Sequence, residues 1–252
     1  ISEMLGIPVT DRQQFRTWTQ VLVNTGEQNQ QESLKTSAIG EFLHYIKSLL
    51  DEKRAHPGND LTSNLVQVEE NGDALSENEL ISMIFLLIVA GHETTVNLIG
   101  NGTLALLQHP DQMQRLQQDL SLLPTTIEEL LRYTAPVNLS DERWASEDIS
   151  MHGKVIRKGE IVYASLIGAN TDQKQFHNPE VLDIARQDNQ HLAFGKGIHY
   201  CLGAPLAHLE GQIAFGTLIQ RLPNLHLASD PEQLIWNNNF MLRGLRSLPV
   251  TF

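Results

Sequence analysis

Apolar residues recur every three or four positions along most of this chain, the spacing that buries one face of an α-helix. The pattern predicts helices around residues 11–22, 42–50, 127–133 and 203–221. Over residues 149–166 the period falls to two, with glycines at the turns, which predicts a small antiparallel hairpin or meander. Helices therefore dominate, and the predicted fold class is mainly α with a small antiparallel β region.

The longest helical signal begins at Ser76, which can cap a helix while Glu79 reaches back to it in a capping box. Because no strong helix breaker follows before Pro110, we expect one helix over residues 77–108, about 48 Å long. Its run 81–90 is apolar on every face, which predicts full burial in the core. That run is too short to cross a bilayer.

Polar stretches separate these elements. Residues 24–32 are rich in Gln, Asn and Glu and predict a mobile connection. Residues 51–74, which include Pro57-Gly58 and Asn71-Gly72, predict mostly loop. The chain opens at Ile1 without a methionine or signal-peptide pattern, so we expect an N-terminal portion to be absent and residues 1–252 to form a single, partial domain.

Composition narrows the possible functions. The 252 residues carry 18 Lys+Arg against 30 Asp+Glu, a formal net charge of −12, which disfavours binding to nucleic acid or to an acidic membrane surface. The single cysteine, Cys201, excludes an internal disulfide framework and leaves one thiol that packs, reacts or binds a metal.

The context of Cys201 favours chemistry over packing. Glycines at 195 and 197 let the backbone approach a bulky group, and the helix predicted from Gly203 adds partial positive charge beside the sulfur. A thiolate held in this way is a metal ligand or a nucleophile. A small buried hydrophobic cysteine is the alternative for an isolated thiol.

Three further groups of residues suggest a site. Residues 90–95, Ala-Gly-His-Glu-Thr-Thr, place poor helix formers and a carboxylate in the long helix, where Thr94 can bond back to the carbonyl of Ala90. A polar seam between helices is the alternative there. Glu129 and Arg132 lie one helical turn apart and can pair. Arg143 and His199 can bind carboxylates.

Together these residues resemble the haem-thiolate monooxygenases, the cytochrome P-450 superfamily, in its soluble bacterial branch. The segment 194–203 matches the haem-ligand signature, and residues 90–95 match the oxygen-activation motif. Glu129 and Arg132, with Arg186, match the structural triad. The resemblance covers the C-terminal larger part of the family's chain, which implies a cytochrome P-450 fold that lacks N-terminal helices and part of the main sheet.

The resemblance implies haem b as cofactor, with Cys201 as the iron ligand and with Glu93 and Thr94 as catalytic residues that deliver protons. The other implied haem contacts are Ala90, Gly91, Thr95, Arg143, Phe194, Gly195, Ile198, His199 and Gly203. Arg143 and His199 would bind the propionates. The implied substrate contacts are Val89, Val137, Asn138, Leu139, Phe240 and Met241. Glu129, Arg132 and Arg186 are implied to be structural.

The implied activity is insertion of one oxygen atom from O2 into a small organic substrate, in the cytoplasm. Electrons would come from a ferredoxin or flavodoxin with its reductase. Two positions depart from the family pattern, Thr171 and His208, where the family often has Arg. These departures concern surface or electron-donor contacts.

Three alternatives remain open. The first is a catalytically incompetent fragment or haem-binding remnant, because the missing N-terminal region covers one side of the haem. The second is a cysteine hydrolase, although His199 is awkwardly close in sequence to serve as the base for Cys201. A peroxide-driven enzyme is the third, disfavoured by the intact Glu93-Thr94 pair.

Overall fold

The computed structural model describes residues 1–23, 31–70 and 75–252. The helices are α1 (Arg12–Val23), α2 (Gln31–Ala55), α3 (Leu61–Glu70), α4 (Glu77–Gln108), α5 (Pro110–Gln118), α6 (Leu123–Thr134), α7 (Leu166–Asn170) and α8 (Ala204–Arg221). The strands are β1 (Arg143–Trp144), β2 (Ile149–Met151), β3 (Lys154–Ile156), β4 (Ile161–Val162), β5 (His226–Leu227) and β6 (Val250–Thr251). The mainly helical class with a small antiparallel β region is confirmed.

The described residues form two compact units, Ile1–Glu93 and Thr94–Phe252, and α4 contributes residues to both. We call them the first and the second unit. The single domain expected over residues 1–252 stays a prediction. The predicted mobile connection falls largely on residues 24–30, which lie outside the described residues, as does Asn71-Gly72.

The core of the first unit is built from one face of each of its helices. Phe42 lies at its centre, fully buried, with its ring 5.5 Å from that of Phe15 and 5.7 Å from that of Trp18. Ile46 on α2 and Ile84 on α4 are also fully buried in this cluster. The helical spacing of apolar residues in α1 and α2 therefore produces the expected packing.

The predicted loop over residues 51–74 is wrong for most of its length. Helix α2 continues to Ala55, and α3 occupies Leu61–Glu70. The start of α3 is set by Asp60, whose carboxylate accepts a hydrogen bond from the Ser63 backbone N–H at 2.8 Å. Val66 then buries its side chain in the first unit's core. Pro57-Gly58 separates two helices and does not mark a long loop.

Helix α4 has the predicted bounds, and its capping box is confirmed. The Ser76 backbone N–H donates to the Glu79 carboxylate at 2.8 Å, and the Glu79 N–H donates to the Ser76 hydroxyl at 3.4 Å. The predicted full burial of residues 81–90 is wrong, because Leu86 is 60% exposed in the described structure. By length and composition α4 could also cross a bilayer, a property shared by core helices of globular proteins.

The second unit packs the C-terminal half of α4 against α6 and α8. Leu106, Leu130 and Phe215, one from each helix, are fully buried together. Gly102 allows the close approach, since a Cβ there would lie 2.7 Å from the Phe215 ring. Helix α8 matches the predicted range within one residue, whereas α6 begins earlier than predicted, at Leu123.

The strands form three separate antiparallel pairs within the second unit. β2 and β3 make the predicted hairpin, with Gly153 at a φ of +74° in its turn. β4 pairs with the earlier strand β1, where Arg143 faces Val162, so residues 149–166 do not form a continuous meander. β5 pairs with β6.

Candidate functional site

Cys201 lies at the end of a tight loop that its own backbone closes. Gly195 and Gly197 have φ angles of +70° and +79°, a left-handed conformation that glycine adopts without strain. The Cys201 N–H donates to the carbonyl of Phe194 at 3.0 Å. This hydrogen bond joins the two ends of the loop over residues 194–201, which we call the cysteine loop. Cys201 is exposed at the end of this loop.

The surroundings of the sulfur are apolar and open. Ile198 is 96% exposed and Leu202 is 80% exposed, on either side of the cysteine in sequence. A contiguous exposed patch of large apolar side chains is typical of a ligand-binding or interaction surface. Helix α8 begins directly after Gly203, so its N-terminal partial charge lies close to the loop. A porphyrin whose iron binds sulfur needs an accessible thiol and an apolar surface for its ring. The exposed Cys201 thiol, the N-terminus of α8 and the exposed apolar side chains fit these requirements.

A nucleophilic cysteine would need a base within reach. Among the described residues, no histidine hydrogen-bonds to the Cys201 sulfur, and His199 is exposed on the 3-10 turn Gly197–His199. The described residues also contain no cluster of three or more His, Cys, Asp and Glu suited to a metal ion. Within the described part of the chain, Cys201 therefore does not form the nucleophile–base pair of a cysteine hydrolase, and its role as an iron ligand stays a prediction.

Residues 90–95, which resemble the family's oxygen-activation motif, are regular helix. Ala90, Gly91 and Glu93 lie in the first unit's part of α4, with Val89 one residue before them, and α4 continues without a break into Thr94 of the second unit. Thr95 donates a hydrogen bond to the Glu210 carboxylate of α8 at 3.0 Å. The structure thus connects α4 to the helix that follows the cysteine loop.

Glu129 and Arg132 form a fully buried ion pair on α6, with both guanidinium contacts at 2.8 Å. Arg186 reaches the same carboxylate at 3.0 Å, and Asn189 donates to it at 3.2 Å. Arg132 also donates to the carbonyls of Asn170 and Pro179. Because each buried charge has several partners, the desolvation cost of the pair is offset locally.

The two predicted propionate ligands lie on different elements. Arg143 is an exposed residue of β1, and His199 is exposed beside the cysteine loop. Both side chains are accessible to an anionic group. Their assignment to the haem propionates stays a prediction.

Two of the predicted substrate segments meet in the second unit. The Asn138 N–H donates to the Met241 carbonyl at 2.7 Å, and Val137 forms a β-bridge with Leu242. Leu139 bridges to Ser165. Phe240 is exposed and its ring lies 5.7 Å from that of Tyr163. Segments distant in sequence therefore lie next to one another in the second unit.

Tyr163, whose ring contacts that of Phe240, is also held by Glu142. The Tyr163 hydroxyl donates to the Glu142 carboxylate at 2.6 Å, and this hydrogen bond raises the pKa of Tyr163 above its ordinary value. Hydrophobic periodicity does not predict this contact, because Glu142 flanks β1 and Tyr163 flanks β4, which are distant in sequence.

Sequence reasoning also missed a carboxylate beside the cysteine loop. Glu128 on α6 lies 2.9 Å from Nε2 of His191 and 2.8 Å from Nε2 of His208. Burial alone would raise the pKa of Glu128, but the His191 hydrogen bond and the charge of His208 outweigh it and lower this pKa. The departure from Arg at position 208 was the one signal in the sequence that pointed here.

Comparisons with known proteins agree with this geometry. The family model for cytochrome P450 matches residues 21–244. Cytochrome P450 CYP107DY1 of Priestia megaterium is 56% identical over 252 residues, which are 100% of this chain and 61% of that protein. The polyketide biosynthesis cytochrome P450 PksS of Bacillus subtilis is 51% identical over 251 residues, 62% of its length.

The solved structure of Bacillus subtilis PksS superposes with a TM-score of 0.95 at 50% sequence identity, covering 100% of this chain and 64% of that one. The chain therefore spans less than two thirds of the length of these relatives. The match extends through the cysteine loop, the buried Glu129–Arg132 pair and the long helix α4. This chain belongs to the cytochrome P450 family.

Proposed function

We propose that this protein is a haem-thiolate monooxygenase that inserts one oxygen atom from O2 into a small organic substrate. The exposed Cys201 thiol, on a glycine loop between the bare side chains of Ile198 and Leu202, carries the proposal. Family membership supports haem as the cofactor, and we propose haem b. When bound, the haem supplies the oxidative chemistry at its iron.

Each predicted site residue has one task in this proposal. Cys201 would hold the iron through its sulfur, and Phe194, Gly195, Ile198 and Gly203 would shape the loop around it. Arg143 and His199 would donate hydrogen bonds to the propionates. Ala90, Gly91 and Thr95 are the remaining haem contacts that the family motif implies. These roles rest on the family motif and on the positions of the residues in the structure.

Proton delivery belongs to Glu93 and Thr94 in this proposal. A hydroxyl can donate one proton while it accepts another, so Thr94 can pass a proton from water toward the reacting oxygen. Glu93 is one residue upstream on α4 and supplies the acidic group of the relay. Substrate contacts are Val89 and the paired segments that carry Val137, Asn138, Leu139, Phe240 and Met241.

The partners are proposed by class. Electrons come from a ferredoxin or a flavodoxin with its reductase, and the protein acts in the cytoplasm without a nucleic-acid or membrane partner. The named relatives include a polyketide biosynthesis cytochrome P450, a vitamin D(3) 25-hydroxylase and a biotin biosynthesis cytochrome P450. We extend to this protein only the shared class, a small organic molecule.

Haem titration of the purified chain tests the proposal. We expect one haem per chain, and a reduced, CO-bound spectrum of the thiolate type that Cys201→Ser loses. Iron-free esterase activity that depends on Cys201 would instead support a cysteine hydrolase. Absence of haem uptake by the chain and by a version extended to the relatives' full length would contradict the proposal; uptake by the extended version alone would make this chain an incompetent fragment.

A further inference from the structure

The carboxylates of Glu128 and Glu129, which are adjacent on α6, have different partners. Glu129 is fully buried among guanidinium groups, whereas the adjacent Glu128 turns toward two histidines from different parts of the second unit. His191 precedes the cysteine loop, and His208 lies on α8 after it. Glu128 therefore contacts the chain on both sides of Cys201.

The contact with His191 fixes the entry to the loop. The Ala193 N–H donates to Nδ1 of His191 at 3.2 Å, so the ring proton lies on Nε2, which donates to the Glu128 carboxylate at 2.9 Å. Leu192, which lies between His191 and Ala193, is also anchored, because its N–H donates to the Asn170 side chain at 2.7 Å. The backbone that leads into Phe194 is thereby anchored at consecutive residues.

The contact with His208 anchors α8, the helix that follows the cysteine loop. Nε2 of His208 lies 2.8 Å from the second oxygen of Glu128, an ion-pair distance without hydrogen-bond geometry. The His208 ring meets the Phe194 ring edge to face, with centroids 4.9 Å apart, and the His191 ring lies 6.1 Å from Phe194 on a tilt. One carboxylate thus holds two imidazoles against a single phenyl ring.

Phe194 passes this constraint to the cysteine. Its carbonyl accepts the Cys201 N–H at 3.0 Å, so the position of Phe194 sets the position of the loop end that bears the sulfur. Closing a segment at both ends removes conformational freedom from everything between the two anchors. The anchors here are residues 191 and 208, and Cys201 lies between them.

We propose that Glu128, His191 and His208 are positioning residues that clamp Phe194 and thereby preorganise Cys201 for its ligand. This inference rests on the proposed function for its purpose and on the described contacts for its geometry. Arginine, the residue of the family pattern at position 208, can replace His208 in the clamp, because its guanidinium can pair with the same Glu128 carboxylate. A leucine there cannot.

Hydrogen exchange in the haem-free chain tests the clamp without reference to haem. We expect the Cys201 amide to exchange about tenfold faster in Glu128→Gln and in His208→Leu, as follows from weakening a hydrogen-bonded contact to a charged group. His208→Arg restores the wild-type rate. Glu147→Gln is the matched control, because Glu147 is an exposed acid of the second unit outside the clamp.

Haem binding and the midpoint potential of the loaded chain give the second readout. Outer-shell partners of a metal ligand typically contribute a factor of 10–100 in affinity, so we expect about tenfold weaker haem binding in Glu128→Gln. We also expect the midpoint potential of the haem to shift from the wild-type value in Glu128→Gln and in His208→Leu, with the same sign in both variants. In His208→Arg and Glu147→Gln the midpoint potential should stay at the wild-type value.

The outcomes separate this inference from the proposed function. Faster exchange at Cys201, together with no haem uptake by this chain or by a version extended to the relatives' full length, supports the clamp and contradicts the function. Wild-type exchange and potential in Glu128→Gln, in a chain that binds haem through sulfur, overturns the clamp. Faster exchange spread equally over α6 and α8 also overturns it, because the residues would then serve general stability alone.

Discussion

Thr94 and Thr95 are consecutive on α4, so their side chains leave the helix about 100° apart. Thr95 donates its one hydroxyl proton to Glu210 at 3.0 Å and is committed to that acceptor. We therefore propose different functions for the two residues despite their identical side chains. Proton delivery is proposed for Thr94, and the assignment of Thr95 as a haem contact stays a prediction.

Thr94→Ala should uncouple the use of reductant from product formation, because the hydroxyl that passes the proton is gone. Reductant consumption and product, measured together in a preparation that turns over substrate, give the coupling ratio. Thr95→Val, which removes the hydrogen bond to Glu210, should leave that ratio close to wild type. Equal coupling in Thr94→Ala and in wild type would contradict the assignment.

Glu128 makes stability depend on pH in a defined direction. Its pKa is lowered in the folded chain, so the unfolded state binds the proton more tightly. The stability it contributes is present above the ordinary glutamate pKa of about 4.3 and is lost as pH falls through the lower folded value. Urea unfolding should show the advantage of wild type over Glu128→Gln at pH 6 shrinking below pH 4. An advantage independent of pH would contradict this role.

At the scale of elements, α6 organises the second unit. Its buried face carries Ile127 and Leu130 into the core, and its carboxylates hold the segments that follow it. Glu129 reaches Arg186 and the Asp183 backbone N–H, which lie more than fifty residues further along the chain. A single helix therefore fixes the long irregular stretch that leads to the cysteine loop.

Glu129→Gln should destabilise the chain by about 3–5 kcal/mol, because the buried Arg132 guanidinium loses its counter-charge. The free energy of unfolding in urea, followed by circular dichroism, measures the loss. Glu147→Gln, an exposed acid, should change it by less than about 0.5 kcal/mol. A similarly small effect of Glu129→Gln would show that the pair contributes little.

Two glycines of α4 give opposite predictions. A Cβ at Gly100 meets nothing within 4 Å, so Gly100→Ala should stabilise the helix by up to about 1 kcal/mol. A Cβ at Gly102 would lie 2.7 Å from Phe215, so Gly102→Ala should destabilise by about 1–3 kcal/mol. Thermal unfolding of the two variants measures both, and a change of the same sign in each would refute the packing described for Phe215.

Local signals explain which elements could be predicted. The bounds of α4 follow from a capping box at Ser76 and a breaker at Pro110, which act within a few residues. The burial of residues 81–90 depends on what packs against them, and the hydropathy pattern does not specify that. Helix α3 was missed because its start depends on Asp60, whose carboxylate caps it within a polar stretch.

The candidate site shows the same division. Cys201 and Arg132 belong to short motifs and could be identified in the sequence. The Glu128 contacts, the Tyr163–Glu142 hydrogen bond and the pairing of Asn138 with Met241 join residues from separate elements. One sequence contains no record of such tertiary contacts.

At the scale of the whole molecule, the chain covers 61% to 64% of the length of its most similar reported relatives. The cysteine loop, the Glu129 network and the clamp around Phe194 all lie in the second unit, Thr94–Phe252. The contacts that we propose to support iron ligation therefore lie within the second unit of this chain. The net charge of −12 gives this chain a negative long-range electrostatic field.

X-ray absorption at the iron edge of the haem-loaded protein identifies the atoms that bind the iron. We expect one sulfur scatterer in the first coordination shell of the iron, contributed by Cys201, and its replacement by a lighter atom in Cys201→Ser. Iron bound only by nitrogen and oxygen in the wild-type protein, or a sulfur signal that survives in Cys201→Ser, would contradict this expectation.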